Sequence, residues 1–349
     1  MSAADHAPAD CVIVGAGIAG LSAAAELAAA GLRTTILEKS RGVGGRMATR
    51  RVGEAVCDHG AQFFTTRTPA FRATAEAGRA AGAARVWCDG FARADAPDGD
   101  LAPPCDGHAR WAGPRGMTDL PKHLLAALPP GLVTLRRGAR AAAVRLAAGG
   151  VKVEIAEGEQ AAGSVSARGL LLGCPVPQAL DLLAPARPAL LPDALATLAG
   201  VAYDPCFALV LVLDGPSLVP PPGGIQFAAG SLAWVADNRL KGISTLPALT
   251  VHAAGDWSRA RFDGDHAAVA DELERLAARW IGPARVVERS LARWKFATPV
   301  TVLPDPLVAC SSAPPIACCG DAFAGPRVEG AATSGRVAGR WMAAALAAR

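Results

Sequence analysis

Residues 11–38 read CVIVGAGIAGLSAAAELAAAGLRTTILE, and few folds accommodate them. The β-branched run 11–14 predicts a short strand buried on both faces. It meets Gly15-Ala16-Gly17-Ile18-Ala19-Gly20, after which an alanine-rich segment predicts a helix stopped at Gly31. Residues 33–37 predict a second strand, and Glu38 stands at its end. The three glycines do different things. Gly15 allows the tight turn, Gly17 lets the backbone approach a pyrophosphate, and Gly20 lets helix and strand pack closely. The helix start, with Ile18 and Ala19, offers unpaired N–H groups and a partial positive charge to phosphate oxygens. Glu38 lies near the spacing of about 20 residues at which an acid accepts both ribose hydroxyls, with Lys39 beside it. A lone G-x-G-x-x-G is common. Strand, glycine turn, helix, second strand and terminal acid in that order predict a dinucleotide site, and the acid disfavours a 2′-phosphate there.

The same stretch has a rival reading. Residues 11–32 are long and apolar enough to suggest a signal peptide or a membrane span. Against it, residues 1–10 carry two Asp and no basic cluster, Glu26 interrupts the run, and Gly15, Gly17 and Gly20 crowd its first third. No membrane role is expected. The whole chain has 349 residues, enough for about two domains, and its 51% hydrophobic and 19% charged composition is that of a globular protein. The net charge of +4 comes from scattered basic residues, which argues against a nucleic-acid partner. The nine cysteines lack C-x-x-C spacing, so a disulfide framework or a zinc site is not expected and a reducing, cytoplasmic location is.

The sequence continues KSRGVGGRMATRR, placing Gly42, Gly44 and Gly45 in a second glycine loop before Arg46. A plain NAD domain has no need of it. A second backbone loop followed by a bidentate guanidinium suits a longer, deeply held dinucleotide such as FAD. Near the other end, residues 315–319 predict a short strand reaching Gly320 and Asp321. Residues 325–330 read as a loop before an alanine-rich helix, which would put Val328, Gly330 and Ala331 at a helix N-terminus.

From VIVGAGIAGLSAAAELAAAGLRTTILEKSRGVGGR the chain resembles the FAD-binding start of the monoamine oxidase and phytoene desaturase superfamily. GRMATRR followed by DHGAQFF narrows the resemblance to the renalase family, its smaller bacterial branch in particular. GPRGMTDLPKHLLAAL, LLLGCPVPQALDLL, LAWVADNRLKG, VHAAGDWSRARF, RWKFATP and GDAFAGPRVEGAATSG follow in family order and cover nearly the whole chain. The resemblance implies an α/β fold: a Rossmann-type FAD-binding domain with a parallel sheet, and a discontinuous mixed α+β substrate domain. It assigns residues 1–66, 116–176 and 308–349 to the FAD domain, and 67–115 and 177–307 to the substrate domain. It implies noncovalent FAD, since no cysteine lies in a family attachment motif.

By family position, Asp321 bonds the ribityl chain and the backbone of Ala141 faces adenine. Gly60-Ala61 gives close backbone approach to the flavin, Gln62 offers an amide at its polar edge, and Phe63 and Phe64 wall the pocket. Trp234 and Trp294 join Phe64 as pocket candidates, and His252 and Arg327 as contacts for an anionic substrate. Asp58 is expected to bond local backbone or an arginine, and His59 to be structural. Lys295 beside Trp294 is given no role. No Ser-His-Asp set, metal-ligand set or paired carboxylates emerge, so no protein residue is named catalytic. The resemblance implies an oxidase that takes hydride at flavin N5 from 2- or 6-dihydro isomers of NAD(P)H and reduces O2 to H2O2. The alternatives are a flavin amine oxidase or desaturase-like oxidoreductase and, in another class, a flavin-binding protein without turnover.

Overall fold

The computed structural model of the chain describes residues 9–103, 107–156, 162–323 and 325–348. They divide into two compact units. The first takes its described residues from those up to Gly45, from Leu124–Ala202 and from Thr301 onwards; the second takes its own from Arg46–His123 and Tyr203–Val300.

The first unit is α/β with a Rossmann-type parallel sheet. Its strands run in the order Val308–Ser312, Pro315–Cys318, Gly163–Leu172, Ala9–Val14, Thr34–Glu38 and Val133–Arg137. The middle pairings are parallel, and Val308–Ser312 closes one edge antiparallel. Ala141–Ala147 and Gly150–Ile155 form an antiparallel extension of Gly163–Leu172. Cys11, Val12 and Ile13 are wholly buried, as a central strand covered on both faces requires. Helix Ile18–Ala29 follows, and Gly31, at φ 74°, ends it in the left-handed region. The last helix, Arg327–Ala347, packs on this one almost backbone to backbone. A Cβ on Gly335 would sit 2.0 Å from the Ala19 carbonyl oxygen, and one on Gly339 2.6 Å from that of Ala23. Glu26 receives both Arg336 and Arg340 across the same pair of helices.

The apolar run at 11–32 is thus a strand, a turn and a helix, and no helix among the described residues is long and apolar enough to cross a membrane. The loop expected at 325–330 is shorter than the sequence suggests. The helix begins at Arg327, with Pro326 as its N-cap in extended conformation, φ −69° and ψ 173°. Gly330 then lies inside the first turn, where a Cβ would strike the Gly325 carbonyl oxygen at 1.9 Å. The free N–H groups of this end belong to residues 327–329, ahead of Gly330 and Ala331.

The second unit is built on a sheet ordered Val286–Pro299, Tyr203–Leu213, Ala248–Ala253, Leu232–Asp237, Gly224–Phe227 and Ala92–Ala94. Its long strands alternate cleanly. Phe207, Leu209 and Leu211 join Val251, Leu273 and Trp280 in a core that includes helix His266–Leu276. On the other face, Val210, Val212 and Ala248 pack against Val52, Ala55 and Cys57 of the hairpin Thr49–Val52 and Ala55–Asp58. That packing explains a difference from the expected boundaries. Residues 46–66 and 116–123 lie in this unit, where the resemblance grouped them with the FAD domain. Residues 177–202 and 301–307 lie in the first unit, to which helix Pro192–Ala199 is tied by the Leu191 N–H donating to the Cys310 carbonyl at 2.9 Å.

Two helices follow in this unit, His266–Leu276, capped by the Asp265 carboxylate, and Ala278–Ile281. Residues 96–103 and 215–223 are irregular or turns, apart from a bridge between Arg93 and Ala102. The eight described cysteines are free thiols, and burial pushes Cys57, Cys206 and Cys319 up to about 12.

Candidate active site

In the first unit, Gly15, Gly173 and the Gly320-Asp321 step follow the C-terminal ends of parallel strands, and Glu38 is the last residue of another. Ligands of open α/β sheets bind beyond that edge. Gly15 turns at φ 102° against the Gly173 backbone. A Cβ at Gly20 would lie 2.0 Å from the Gly15 carbonyl oxygen, so this glycine serves the close packing of turn and helix. Gly17 differs: a Cβ there would meet nothing within 4 Å. Its bare backbone faces open space at the start of a helix whose N-terminus has no side-chain cap. The second glycine loop is joined to the first, the Gly44 N–H donating to the Ala16 carbonyl at 2.9 Å.

Glu38 is buried, and its carboxylate is aimed by two backbone donors, Ala16 N–H to Oε2 and Ser40 N–H to Oε1, both 2.8 Å. Each oxygen keeps a further lone pair for a hydroxyl. Lys39 is exposed beside it, and Ala141 opens its strand half-buried. The last helix also lacks a side-chain cap; Val328 and Ala331 are buried in its first turns. Asp321 is buried, and the preceding Gly320 N–H donates to Ser334 Oγ at 2.8 Å, which donates on to the Pro306 carbonyl. Two uncapped helix ends, a bare Gly17 backbone and an oriented acid suit a dinucleotide carrying diphosphate and ribose.

In the second unit, DHGAQFF is organised around Asp58, which is wholly buried. Its carboxylate accepts from Met117 N–H at 2.8 Å and from Thr49 Oγ1, and is paired with Lys241 Nζ at 2.6 Å. Lys241 is also wholly buried and donates at 2.6 Å to the Gln62 carbonyl. Burial pulls the Lys241 ammonium below its ordinary pKa, and Asp58 pulls it back up. Asn238 Oδ1 accepts from the Asp58 N–H, while Thr250 Oγ1 donates to the Asp58 carbonyl. The Arg85 guanidinium donates to the Lys241 carbonyl. Local backbone or an arginine was expected as the partner of Asp58; its carboxylate instead meets the distant Met117 N–H, the Thr49 hydroxyl and Lys241.

Gln62 Nε2 donates to the Asp58 carbonyl at 2.7 Å and the Gly60 carbonyl at 3.0 Å, and lies 3.5 Å from His252 Nε2. His252 stands opposite Trp234 in the sheet. Burial, helped by neighbouring His59, lowers His252 to about 4. His59 is lowered to about 4, first by burial and then by Arg50. It stacks on Trp294, with ring centres 5.2 Å apart, and Trp294 Nε1 donates to its carbonyl at 2.9 Å. Both imidazoles are neutral near pH 7.

The two phenylalanines part company. Phe63 meets Phe91 and Trp234, whereas Phe64 is buried against Phe71 and Trp111 and exchanges backbone hydrogen bonds with Trp111. Phe64, expected as a pocket wall, is packed in a separate aromatic core, because successive residues of extended chain point to opposite sides. Arg46 donates to the carbonyls of Phe296 and Ala297 and lies 5.8 Å from the Tyr203 ring centre. Lys295 is exposed over Phe296. In the first unit, Arg327 is exposed and is the one described non-glycine residue at positive φ, 83°. Gln62, Phe63, Trp234, His252, His59 and Trp294 form one connected set.

Sequence reading missed Lys241, Asn238 and Thr250. The signal available was the charged tail of LAWVADNRLKG, an Asp-Asn turn after an apolar strand, which reads as an ordinary solvated turn.

Comparison with known proteins places these features in a family. Residues 80–340, about three quarters of the chain, match the family described as flavin containing amine oxidoreductase, and residues 13–77 match the NAD(P)-binding Rossmann-like domain. A protein named as a candidate protoporphyrinogen oxidase, from Exiguobacterium sp. 255-15, is similar in structure with a TM-score of 0.69 and 15% identity, over 96% of this chain and 98% of that one. A putrescine oxidase redesigned in its cofactor binding gives 0.68 and 15%, over 98% and 99%. The L-amino-acid oxidase of Echis ocellatus is 59% identical over 44 residues, 13% of this chain and 9% of that protein. Protein anon-37Cs of Drosophila melanogaster is 51% identical over 53 residues, 15% and 10% respectively. The matched segments thus span about a tenth of these curated relatives.

Proposed function

We propose that this chain, which belongs to the flavin-containing amine oxidoreductase family, is an FAD-dependent oxidase of renalase type acting on 2- or 6-dihydro isomers of NAD(P)H. FAD held there would supply a two-electron acceptor for hydride, with O2 as the final acceptor and H2O2 as product. The chain's residues do the holding. Glu38 takes the ribose hydroxyls, the uncapped helix ends and the Gly17 backbone take the diphosphate, and Asp321 takes the ribityl chain. No acid or base is needed to draw a proton from such a donor, because loss of hydride restores its aromatic ring.

The observation that carries this reading is the uncharged set around Gln62. An amide, two imidazoles held near pKa 4 and the indoles of Trp234 and Trp294 suit a neutral, flat, polar-edged donor better than an ammonium ion. Tyr203, the chain's one tyrosine, stands beside Phe296 and the Arg46 guanidinium.

A second reading, oxidation of an amine, is favoured by the family match and by the likeness to a putrescine oxidase. We assign the protein to the cytoplasm on its cysteine usage, and hold its FAD to be noncovalent. Anaerobic mixing with candidate donors tests the proposal: the isomers should bleach the flavin quickly and amines should not, and the reverse would replace the first reading by the second.

A further inference from the structure

The hairpin of Thr49–Val52 and Ala55–Asp58 has two faces. Val52, Ala55 and Cys57 pack on the sheet of the second unit, and the alternation leaves Thr49, Arg51 and Val56 on the opposite face. A cleft of about 570 Å3 lies against that face, bounded also by Arg50, by Arg115, Asp119 and Lys122 around the start of helix Asp119–Ala126, and by Ile243. All of these residues belong to the second unit.

The charge in this cleft is one-sided: four cations line it against one carboxylate. That carboxylate, Asp119, is buried and already engaged, accepting from the Arg115 N–H at 2.8 Å and from the Arg115 guanidinium. Arg50, Arg51 and Lys122 have neither an ion pair nor a side-chain hydrogen bond among the described residues. Elsewhere in this unit Arg259, Arg261, Arg285 and Arg289 each meet a carboxylate. The unmatched charge reaches beyond the cleft, since Arg50 helps to hold the His59 imidazole neutral. Like charges gathered without a counter-ion repel one another, and a bound anion relieves that cost.

The donor set selects among anions. A guanidinium presents a planar fork that matches phosphate or carboxylate, and an ammonium adds a point charge. A carboxylate brings one charge and two oxygens, enough for a single fork. A phosphate monoester brings a charge of about −2 near neutral pH and three acceptor oxygens, enough for both free arginines and Lys122. Val56 and Ile243 offer an apolar wall to a carbon skeleton, and the volume is that of a small-molecule site.

We propose that this cleft binds a small organic phosphate, at a site separate from those of the flavin and the donor. It shares no residue with the uncharged set of Gln62, Phe63, Trp234, His252, His59 and Trp294, and the glycine turns that suit the FAD diphosphate belong to the first unit. Its wall is firmly held: Thr49 Oγ1 donates to Asp58 and accepts the Thr118 N–H at 3.2 Å.

The test is calorimetric titration of the FAD-loaded protein, in which FAD keeps the probes from the Gly17 turn. Two probes are compared, phenyl phosphate and benzoate, which share a ring and differ in the anion. Phenyl phosphate should bind saturably and at least about tenfold tighter, as one further charge-assisted contact implies. Arg51→Gln combined with Lys122→Gln, both exposed, should weaken it by about tenfold or more, and Arg285→Gln should leave it unchanged. Excess NAD+ should not displace it. No saturable binding, equal affinity for the two probes, full affinity in the double variant, an equal loss in Arg285→Gln, or displacement by NAD+ would each overturn the proposal. The comparison of probes in the unaltered protein needs no variant to fold, and none of these outcomes depends on the oxidase reading.

Discussion

The glycine turns of the first unit and the Asp58 hub of the second both fix polar groups in place, by opposite means. The first works mainly with backbone: a Cβ on Gly17 would meet nothing, and the side chains added are two buried acids, Asp321 and Glu38, the latter aimed by the Ala16 and Ser40 N–H groups. The second works with side chains drawn from afar. Lys241 lies 183 positions from Asp58, and Thr250 lies 192 away. A backbone device tolerates changes around it but not at its glycines. A buried side-chain hub tolerates change at none of its members singly, because removing one leaves another unpaired.

The largest expected effect follows from that. Lys241→Met should destabilise the protein by about 3–5 kcal/mol, the cost of breaking a buried pair and stranding a carboxylate. Urea unfolding reads it, and Lys241→Met combined with Asp58→Asn should recover most of the loss. An unchanged midpoint for the single variant would mean that the hub bears no strain of this kind.

In the first unit the losses should be in binding more than in folding. Glu38→Ala should weaken FAD by about 2–4 kcal/mol, through lost charge-assisted bonds and the Ala16 and Ser40 donors left unpaired. Equilibrium dialysis against FAD checks it, and unchanged affinity would place the adenosine end elsewhere. The two neighbouring glycines should separate. Gly20→Ala must displace the Gly15 carbonyl and should cost about 1–3 kcal/mol of stability. Gly17→Ala should leave the thermal midpoint of the FAD-free protein in place and lower FAD affinity. Equal effects of the two on stability would contradict the division of labour.

The smallest effect concerns pH. His59 and His252 are held near pKa 4 in the fold against 6.5 for free histidine. The folded state therefore favours the neutral rings. Their contribution to stability is fully present above about pH 6.5 and declines as pH falls towards 4, where the unfolded chain binds protons that the folded chain refuses. His252→Gln should flatten the slope of stability against pH in that window. A slope unchanged in the variant would locate the titration elsewhere.

These contrasts also explain what can be read without coordinates. Gly15, Gly17, Gly20 and Glu38 announce themselves because turn, helix and strand fall within one short segment and the periodicity changes visibly at each step. The alternation of Phe207, Leu209 and Leu211 with Val210 and Val212 is readable only as an apolar strand; which face meets the hairpin depends on tertiary packing. The fates of Phe63 and Phe64 depend on one step of register, and no local pattern chooses between them. Lys241 and Asn238 look like a surface turn because their partner belongs to a distant segment. The start of the last helix is hard to place for a different reason: Gly330 resembles a loop residue, yet it is small to let the Gly325 carbonyl pass.

The central claim is that the protein takes hydride from a misplaced dihydronicotinamide. Stopped-flow absorbance of the FAD-loaded protein, without O2, tests it most directly. The 2- or 6-dihydro dinucleotide should bleach the flavin at least about a hundredfold faster than ordinary 4-dihydro NADH, since an error of about 1 Å in placing the donor carbon can cost that much. Readmitted air should then yield H2O2. Fast bleaching by a primary or secondary amine, with the dihydronicotinamide isomers inert, would contradict the claim.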